Sequence, residues 1–297
     1  MADLKLQGVF PPIPTPFVDG EVSYERLASN VEKWSKTGIS GFVVLGSNGE
    51  YPYLSEEEKR NVVRTVIRAS PEHLPVIVGS GCESTRETIR LTNDCAELGA
   101  HAALVVTPHY YGGKMDKASL VNHYTVIADQ AAIPILLYNV TKFTHLNLTA
   151  DVVSTLSGHP NIVGIKDSNG SVSQLGEYLE AVQKDFHVLV GTAGAFFGGL
   201  ALGCEGGILA LANVAPEACV KMYESVGAGQ FRAARDLQLR MIPVNQAVTA
   251  TYGIAGLKAA MDMLGYFGGD PRLPLLPSTE KENAEIRNVL IQAHLLT

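Results

Sequence analysis

The chain is expected to fold as an α/β protein, a (β/α)8 TIM barrel with a C-terminal helical extension. Eight short β-rich runs alternate with amphipathic helical patterns at intervals of roughly 20–35 residues, the rhythm of repeated βα units. Several of those runs are almost continuously apolar, as parallel strands are when helices cover the sheet. Beyond residue 228 the strand pattern stops and only helical patterns follow. A length of 297 residues leaves room for a barrel of about 250 residues and an appendage.

In chain order, strands are expected over 8–13, 41–45, 76–79, 102–106, 135–138, 162–166, 188–191 and 207–210. Helices are read between them over 23–36, 56–69, 84–98, 117–128, 149–156, 172–183, 195–202 and 216–226. Ser55 precedes Glu56-Glu57-Glu58, which places acids on a first helical turn and lets Glu58 close a capping box. Pro216 fits the first helical position, where its missing N–H is no loss. The tail gives three further helices, over 230–242, 245–264 with an interruption near Gly253, and 279–293. Residues 1–228 are accordingly read as the barrel, and 229–297 as a helical region packed on it. An open doubly wound sheet is the competing topology. The run Pro11-Pro12-Ile13-Pro14-Thr15-Pro16 after the first strand, however, cannot supply the backbone donors of a phosphate cradle.

A hydrophobic share of 46% against 18% charged residues supports a sizeable core and argues against disorder. The net charge of −7 gives no electrostatic drive towards nucleic acid or an anionic membrane. A small carboxylate substrate remains compatible, because local donors read it. Cys82, Cys95, Cys204 and Cys219 lie singly, without C-x-x-C or zinc spacing, and are read as reduced thiols of an intracellular protein. The first residues carry an early acid and no apolar core of signal-peptide length. Glu205 and Glu217 interrupt the most apolar region, so no membrane span of about 18 apolar residues is expected. A cytoplasmic location is the expectation, the alternative being a targeting segment removed from ahead of this sequence.

Lys166 ends the apolar run Ile162-Val163-Gly164-Ile165 and is followed by Asp167-Ser168-Asn169-Gly170. At the end of a barrel strand its amine points into the mouth, the face on which barrel enzymes carry their chemistry. Partial burial there disfavours the ammonium and frees a nucleophilic amine. The plainer alternative is a lysine that snorkels into solvent. The second strand empties into Gly46-Ser47-Asn48-Gly49-Glu50, whose backbone N–H groups and two polar side chains can hold a carboxylate. The same composition also makes an ordinary polar turn. Tyr110 follows the fourth strand in Thr107-Pro108-His109-Tyr110-Tyr111, and Tyr138 ends the fifth ahead of Asn139. Each tyrosine can pack as an aromatic or relay a proton through its hydroxyl. The eight histidines form no H-x-x-x-H or H-E-x-x-H helix, and no acid cluster outlines a metal cage. The pairs Gly198-Gly199 and Gly206-Gly207 read as close packing rather than a nucleotide cradle. No G-x-S-x-G elbow is present, which leaves amine-based covalent catalysis as the chemistry these residues fit.

Over its whole length the chain resembles the dihydrodipicolinate synthase and N-acetylneuraminate lyase superfamily of class I pyruvate aldolases. The motifs that carry the resemblance are Gly46-Ser47-Asn48-Gly49-Glu50, Thr107-Pro108-His109-Tyr110-Tyr111, Tyr138-Asn139-Val140, Lys166-Asp167-Ser168, Gly191 and Ala212-Asn213-Val214. It implies homodimers or homotetramers, no metal, no organic cofactor, and pyruvate with a small aldehyde or 2-oxo acid as substrates. It further implies that Lys166 forms the Schiff base and that Tyr138 relays protons beside it. Ser47 would link Tyr138 to Tyr110 of a neighbouring subunit, while Asn48 and the Ser47 backbone hold the pyruvyl carboxylate. Ser168 is the candidate for a distal carboxylate, and Gly191 and Ile208 complete the substrate-binding set.

The chain also departs from the superfamily pattern. Thr141 stands where a proline is frequent, and Phe143 stands where dihydrodipicolinate synthases carry an arginine for the aldehyde's carboxylate. A phenyl ring cannot make bidentate hydrogen bonds, although Lys142 offers a partial substitute. His109 and Glu83 replace the tyrosine and asparagine of lysine-inhibited synthases, so feedback by lysine is not expected. Within the superfamily the likeness is strongest to 4-hydroxy-2-oxoglutarate aldolase, which also lacks the arginine. It runs through Gly79-Ser80-Gly81-Cys82-Glu83-Ser84-Thr85, His159-Pro160-Asn161-Ile162-Val163-Gly164 and Ala210-Leu211-Ala212-Asn213-Val214. The expected reaction is therefore cleavage of 4-hydroxy-2-oxoglutarate to pyruvate and glyoxylate through an iminium on Lys166. The alternatives are dihydrodipicolinate synthesis from pyruvate and aspartate semialdehyde, a neuraminate or sugar-acid aldolase, and a catalytically silent ligand-sensing barrel. Retention of Lys166, Tyr138, Tyr110 and Ser47 counts against the silent barrel.

Overall fold

The barrel strands are short, three to six residues each, and mostly buried. In a computed structural model describing residues 4–297, the strands are β1 (Gly8–Phe10), β2 (Phe17–Val18), β3 (Glu21–Val22), β4 (Phe42–Val44), β5 (Val76–Gly79), β6 (Ala102–Val106), β7 (Ile135–Asn139), β8 (Ile162–Asp167), β9 (His187–Val190) and β10 (Gly206–Ile208). Eight of them form one parallel sheet in the order β1-β10-β9-β8-β7-β6-β5-β4. The sheet closes on itself through Pro12 and Val43, where Ile13 donates to Val43 O at 2.9 Å and Val43 donates to Pro11 O at 3.0 Å. Pro11 and Pro12 have no N–H to give, which is why β1 ends at Phe10 rather than at residue 13. The expected barrel is the observed one.

Helices α1 (Tyr24–Trp34), α2 (Glu56–Ala69), α3 (Thr85–Glu97), α4 (Lys117–Gln130), the single turn α5 (Thr141–Thr144), α6 (Ala150–Ser157), α7 (Val172–Ala181), α8 (Phe196–Leu202) and α9 (Pro216–Gly227) lie between and after the strands. Ser55 and Glu58 form the capping box of α2, and Pro216 occupies the first turn of α9. The barrel lumen is filled by Phe10, Val43, Ile77, Leu104, Leu136, Tyr138, Leu189 and Ile208. The outward strand residues, among them Val44, Val78, Val105, Leu137 and Ile165, join the larger cluster under the helices. Two nested cores therefore meet at the strands, and only the inner one reaches the mouth.

Three features depart from the sequence reading. Asp19 and Gly20, at φ 52° and 81°, form the two-residue turn of a hairpin between β2 and β3. Helix α5 stands directly after β7. The break expected at 243–244 does not occur: α10 (Phe231–Gln246) runs through Pro243 and then widens into a π turn over Ala247–Thr251. Proline removes one i→i−4 hydrogen bond without ending a helix that tertiary contacts hold. Helices α11 (Gly253–Met263) and α12 (Glu280–Gln292) complete the chain, the latter with a Thr279–Glu282 capping box.

Arg272, between α11 and α12, fastens this tail to the barrel. Its guanidinium reaches both oxygens of Glu58, at 2.6 and 2.9 Å, donates to Gly20 O and Tyr53 O, and lies 4.5 Å from the centre of the Phe17 ring. Those bonds hold the Glu58 carboxyl down to about 2 against the small upward push of burial. A depressed carboxylate contributes stability that is full above 4.5, its ordinary value, and is lost as the pH falls towards about 2. Glu58→Gln is expected to lower the unfolding free energy at neutral pH by about 1.5–3 kcal/mol in urea titrations. The difference from the unmodified protein should fade as the pH drops below 4.5; a difference that stays constant would assign the loss to something other than the ion pair.

Candidate active site

The pairing between β7 and β8 begins with Ile135 beside Ile162 and then shifts, so that Leu136 lies beside Gly164 and Tyr138 beside Lys166. Val163 is the extra residue of this bulge. Strict alternation from Ile162, which faces the helices, would turn Lys166 outward as well. The bulge reverses the phase, and Lys166 stands buried with its Nζ 4.1 Å from the centre of the Tyr138 ring. Burial alone would push the Tyr138 phenol up. The charge of Lys166 and the polar groups of Ser47, Ser168 and Lys166 around the hydroxyl outweigh it and bring the phenol below its ordinary range.

Ser47 opens a 3-10 turn, Ser47–Gly49, at the end of β4, and its Oγ lies 3.4 Å from Tyr138 Oη. The first donors of such a turn have no partner within it, so the N–H groups of Ser47 and Asn48 are placed to meet an anion. The Asn48 side chain is drawn towards Pro12 O, at 3.4 Å. Leu45, just ahead of the turn, is a buried residue at φ 57°, a conformation that bulky side chains adopt at a cost of about 1–3 kcal/mol. Gly79 is required beside it, because a Cβ there would stand 2.1 Å from Leu45 O. Ser168 donates to Gly191 O at 3.3 Å, and Gly191 packs so closely that a Cβ would lie 2.2 Å from Ser168 Oγ. Ile208, fully buried, belongs to the lumen cluster that contains Tyr138. Lys166, Tyr138, Ser47, Ser168, Gly191 and Ile208 thus converge on one end of the lumen.

Tyr110 does not join them within the chain. It is 77% exposed, stacks edge-on against the equally bare Tyr111, and its N–H, like that of His109, donates to Glu83 Oε2. Lys142 is not free to replace an arginine: its Nζ donates to Thr249 O in the π turn, at 3.1 Å, beside a half-exposed Phe143.

A buried polar network that the sequence reading passed over lies beside Lys166. Asp167 Oδ1 accepts from Asn139 Nδ2 at 2.7 Å and from Gln174 Nε2 at 3.3 Å, while Asn139 also reaches Asn147 and the Tyr178 hydroxyl. Lys166-Asp167-Ser168 was read for its lysine and serine; the acid between them, alternating to the other face of the strand, was the available signal.

A closed parallel barrel with a buried lysine amine against a tyrosine at its strand ends is a setting for covalent chemistry through an amine. Residues 5–293 match the model of the dihydrodipicolinate synthetase family. The chain belongs to that family, whose members are pyruvate-dependent lyases and synthases of the class I type. It is 41% identical over 293 residues to the 4-hydroxy-tetrahydrodipicolinate synthase of Methanothrix thermoacetophila, covering 98% of each chain. Among solved structures it is similar to the chloride-inhibited dihydrodipicolinate synthase of Acinetobacter baumannii complexed with pyruvate, with a TM-score of 0.94 and 33% identity over 98% of this chain and 100% of that one. The Thermotoga maritima synthase gives the same TM-score at 31% identity, over 98% and 99% of the two chains.

Burial pushes the Asp167 carboxyl up to about 6, against the downward pull of Asn139 and the Asn169 N–H. A folded pKa above the ordinary 3.8 favours the protonated form. The native state therefore loses stability as the pH rises from 3.8 towards about 6, by at most about 3 kcal/mol. Asp167→Asn escapes that loss. Its unfolding free energy should gain on that of the unmodified protein across this interval in urea titrations; parallel pH profiles would show that the carboxyl titrates normally.

Proposed function

We propose that Lys166 forms a Schiff base with the 2-oxo group of pyruvate or a pyruvyl substrate, and that the enzyme makes or breaks the bond between its C3 and an aldehyde carbon. The observation that carries this reading is the buried Lys166 amine stacked on the Tyr138 ring. The amine adds to C2 and water leaves, giving an iminium that serves as an electron sink. In cleavage, Tyr138 takes the proton from the hydroxyl on C4, the C3–C4 pair flows into an enamine, and the aldehyde departs. The enamine is then protonated at C3 and hydrolysed to pyruvate. In synthesis the enamine C3 attacks the aldehyde and the phenol protonates the new alkoxide. A phenol held below its usual range suits both directions. Ser47 and Asn48 hold the pyruvyl carboxylate. The exposed Tyr110 serves a neighbouring copy of the chain, passing protons to Tyr138 through Ser47, so the active assembly is a homodimer or homotetramer.

The curated relatives favour a particular aldehyde. Seven of them, at 33–41% identity, carry the name 4-hydroxy-tetrahydrodipicolinate synthase. That name supports condensation of pyruvate with aspartate semialdehyde ahead of the 4-hydroxy-2-oxoglutarate cleavage expected from sequence. The second reading keeps one specific support: Phe143 offers no cation to the semialdehyde's carboxylate, and Lys142 is occupied by Thr249.

Borohydride added with pyruvate should fix a pyruvyl adduct on Lys166, located by peptide mass spectrometry, and Lys166→Ala should abolish it. An adduct on a different lysine would remove the mechanism. Phe143→Arg should raise kcat/KM for aspartate semialdehyde by roughly ten- to a hundredfold, the worth of a charged hydrogen bond of about 1.5–3 kcal/mol. No rise would mean that another group already grips that carboxylate. On the unmodified enzyme, the larger kcat/KM of the two substrates decides between the readings.

A further inference from the structure

The turn that carries Ser47 and Asn48 is tied to the C-terminal region by charges that never meet solvent. Glu50, the residue after the turn, is buried and adopts φ 54°, so the turn is bracketed by two left-handed side-chain-bearing residues, Leu45 and Glu50. Lys258, in the middle of α11, is completely buried. Its Nζ lies 2.6 Å from Glu50 Oε1, close enough for an ion pair although not aligned as a hydrogen bond, and it donates to Asp270 O at 3.1 Å. The ammonium also sits 4.4 Å from the centre of the Phe17 ring. The second oxygen of Glu50 accepts the backbone N–H of Arg272 at 2.8 Å. Two segments of the tail thus grip one carboxylate beside the candidate anion turn.

Such a pair is a poor device for stability, because desolvating two charges offsets most of their attraction and apolar residues of similar volume often do as well. It is a good device for fixing geometry, because neither partner can move without leaving a bare charge in a dry interior. It also neutralises an acid that would otherwise repel an incoming carboxylate.

We propose that Glu50 and Lys258 are positioning residues for carboxylate recognition: their pairing fixes the Ser47–Gly49 turn so that its leading N–H groups and the Ser47 hydroxyl meet the C1 carboxylate of a 2-oxo acid. The inference rests on the reading of Ser47 and Asn48 given above. It makes the C-terminal helical region part of the substrate site without lending it a single contact to substrate.

The test is borohydride trapping on Lys166 across a pyruvate titration, with the full chain, for the unmodified enzyme, Lys258→Met, and the double variant Glu50→Gln with Lys258→Met. Lys258→Met should raise the half-saturating pyruvate concentration by about tenfold or more, the cost of one misaimed charged hydrogen bond, while the adduct formed at saturation is unchanged. The double variant leaves no bare charge, so it should recover the melting temperature yet keep the raised half-saturation; that split separates aiming from folding. It also decides the matter if Lys258→Met alone does not fold. A double variant that saturates like the unmodified enzyme overturns this inference alone. Absence of a Lys166 adduct in the unmodified enzyme removes the Schiff-base reading and this inference with it.

Discussion

The mouth of the barrel depends on one irregularity, the bulge at Val163 between β7 and β8. Side chains alternate along a strand, so a one-residue change of phase decides which core a residue enters. Without the extra residue Tyr138 would stand beside Ile165, and Lys166 would point into the helical layer with Ile162. With it, the lysine enters the lumen next to a tyrosine on the neighbouring strand, and each shapes the other's surroundings. Gly164 makes the shift possible, since a Cβ there would lie 2.6 Å from His187 O. The chemistry proposed for Lys166 is thus a consequence of register before it is a consequence of charge.

The two halves of the candidate site are built from different materials. The half assigned to pyruvate stands at the ends of β4, β7, β8, β9 and β10, where strand pairing and a packed lumen place Lys166 and Tyr138. The half proposed for the aldehyde is marked by Phe143 on the single turn α5, an element that the barrel does not specify and that Lys142 ties to the π turn through Thr249 O. Rigid elements hold a constellation closely, while the loops grafted on them vary. Family membership accordingly establishes the pyruvate chemistry of this chain and leaves its second substrate to a few residues outside the sheet.

Much of this was legible in the sequence because it was written in local periodicity. All eight barrel strands follow from apolar runs that end in polar residues, the capping box from Ser55 and Glu58, and the grouping of Lys166, Tyr138 and Ser47 from the family resemblance. Some of what was missed had a local signal, the Asp19-Gly20 turn and Asp167 among them, and some did not. The bulge is invisible, since Ile162-Val163-Gly164-Ile165 reads as a plain buried strand; Lys166 was placed in the mouth by analogy with strand ends, although alternation from Ile162 argued against it. Pro243 misled in the other direction, because a proline reads as a stop wherever the contacts that carry a helix past it lie far away in the chain. The preference for 4-hydroxy-2-oxoglutarate aldolase came from short shared motifs, and the relatives matched over the whole length point to the synthase instead.

The Glu50–Lys258 pair is a further case, with its partners in the barrel and in the C-terminal helices. Sequence showed an acid closing a polar turn and a lysine inside an apolar helix, each unremarkable alone. Together they join the barrel to the tail, and once the two are docked neither charge has another counterpart of opposite sign within ion-pair distance among the described residues. Arg272 adds to the same constraint, binding Glu50 through its backbone and Glu58 through its guanidinium. An anion turn aimed by Lys258 and the Arg272 backbone depends on the docking of α11 and the segment after it, so the proposed substrate recognition draws on residues more than 200 positions away in the chain.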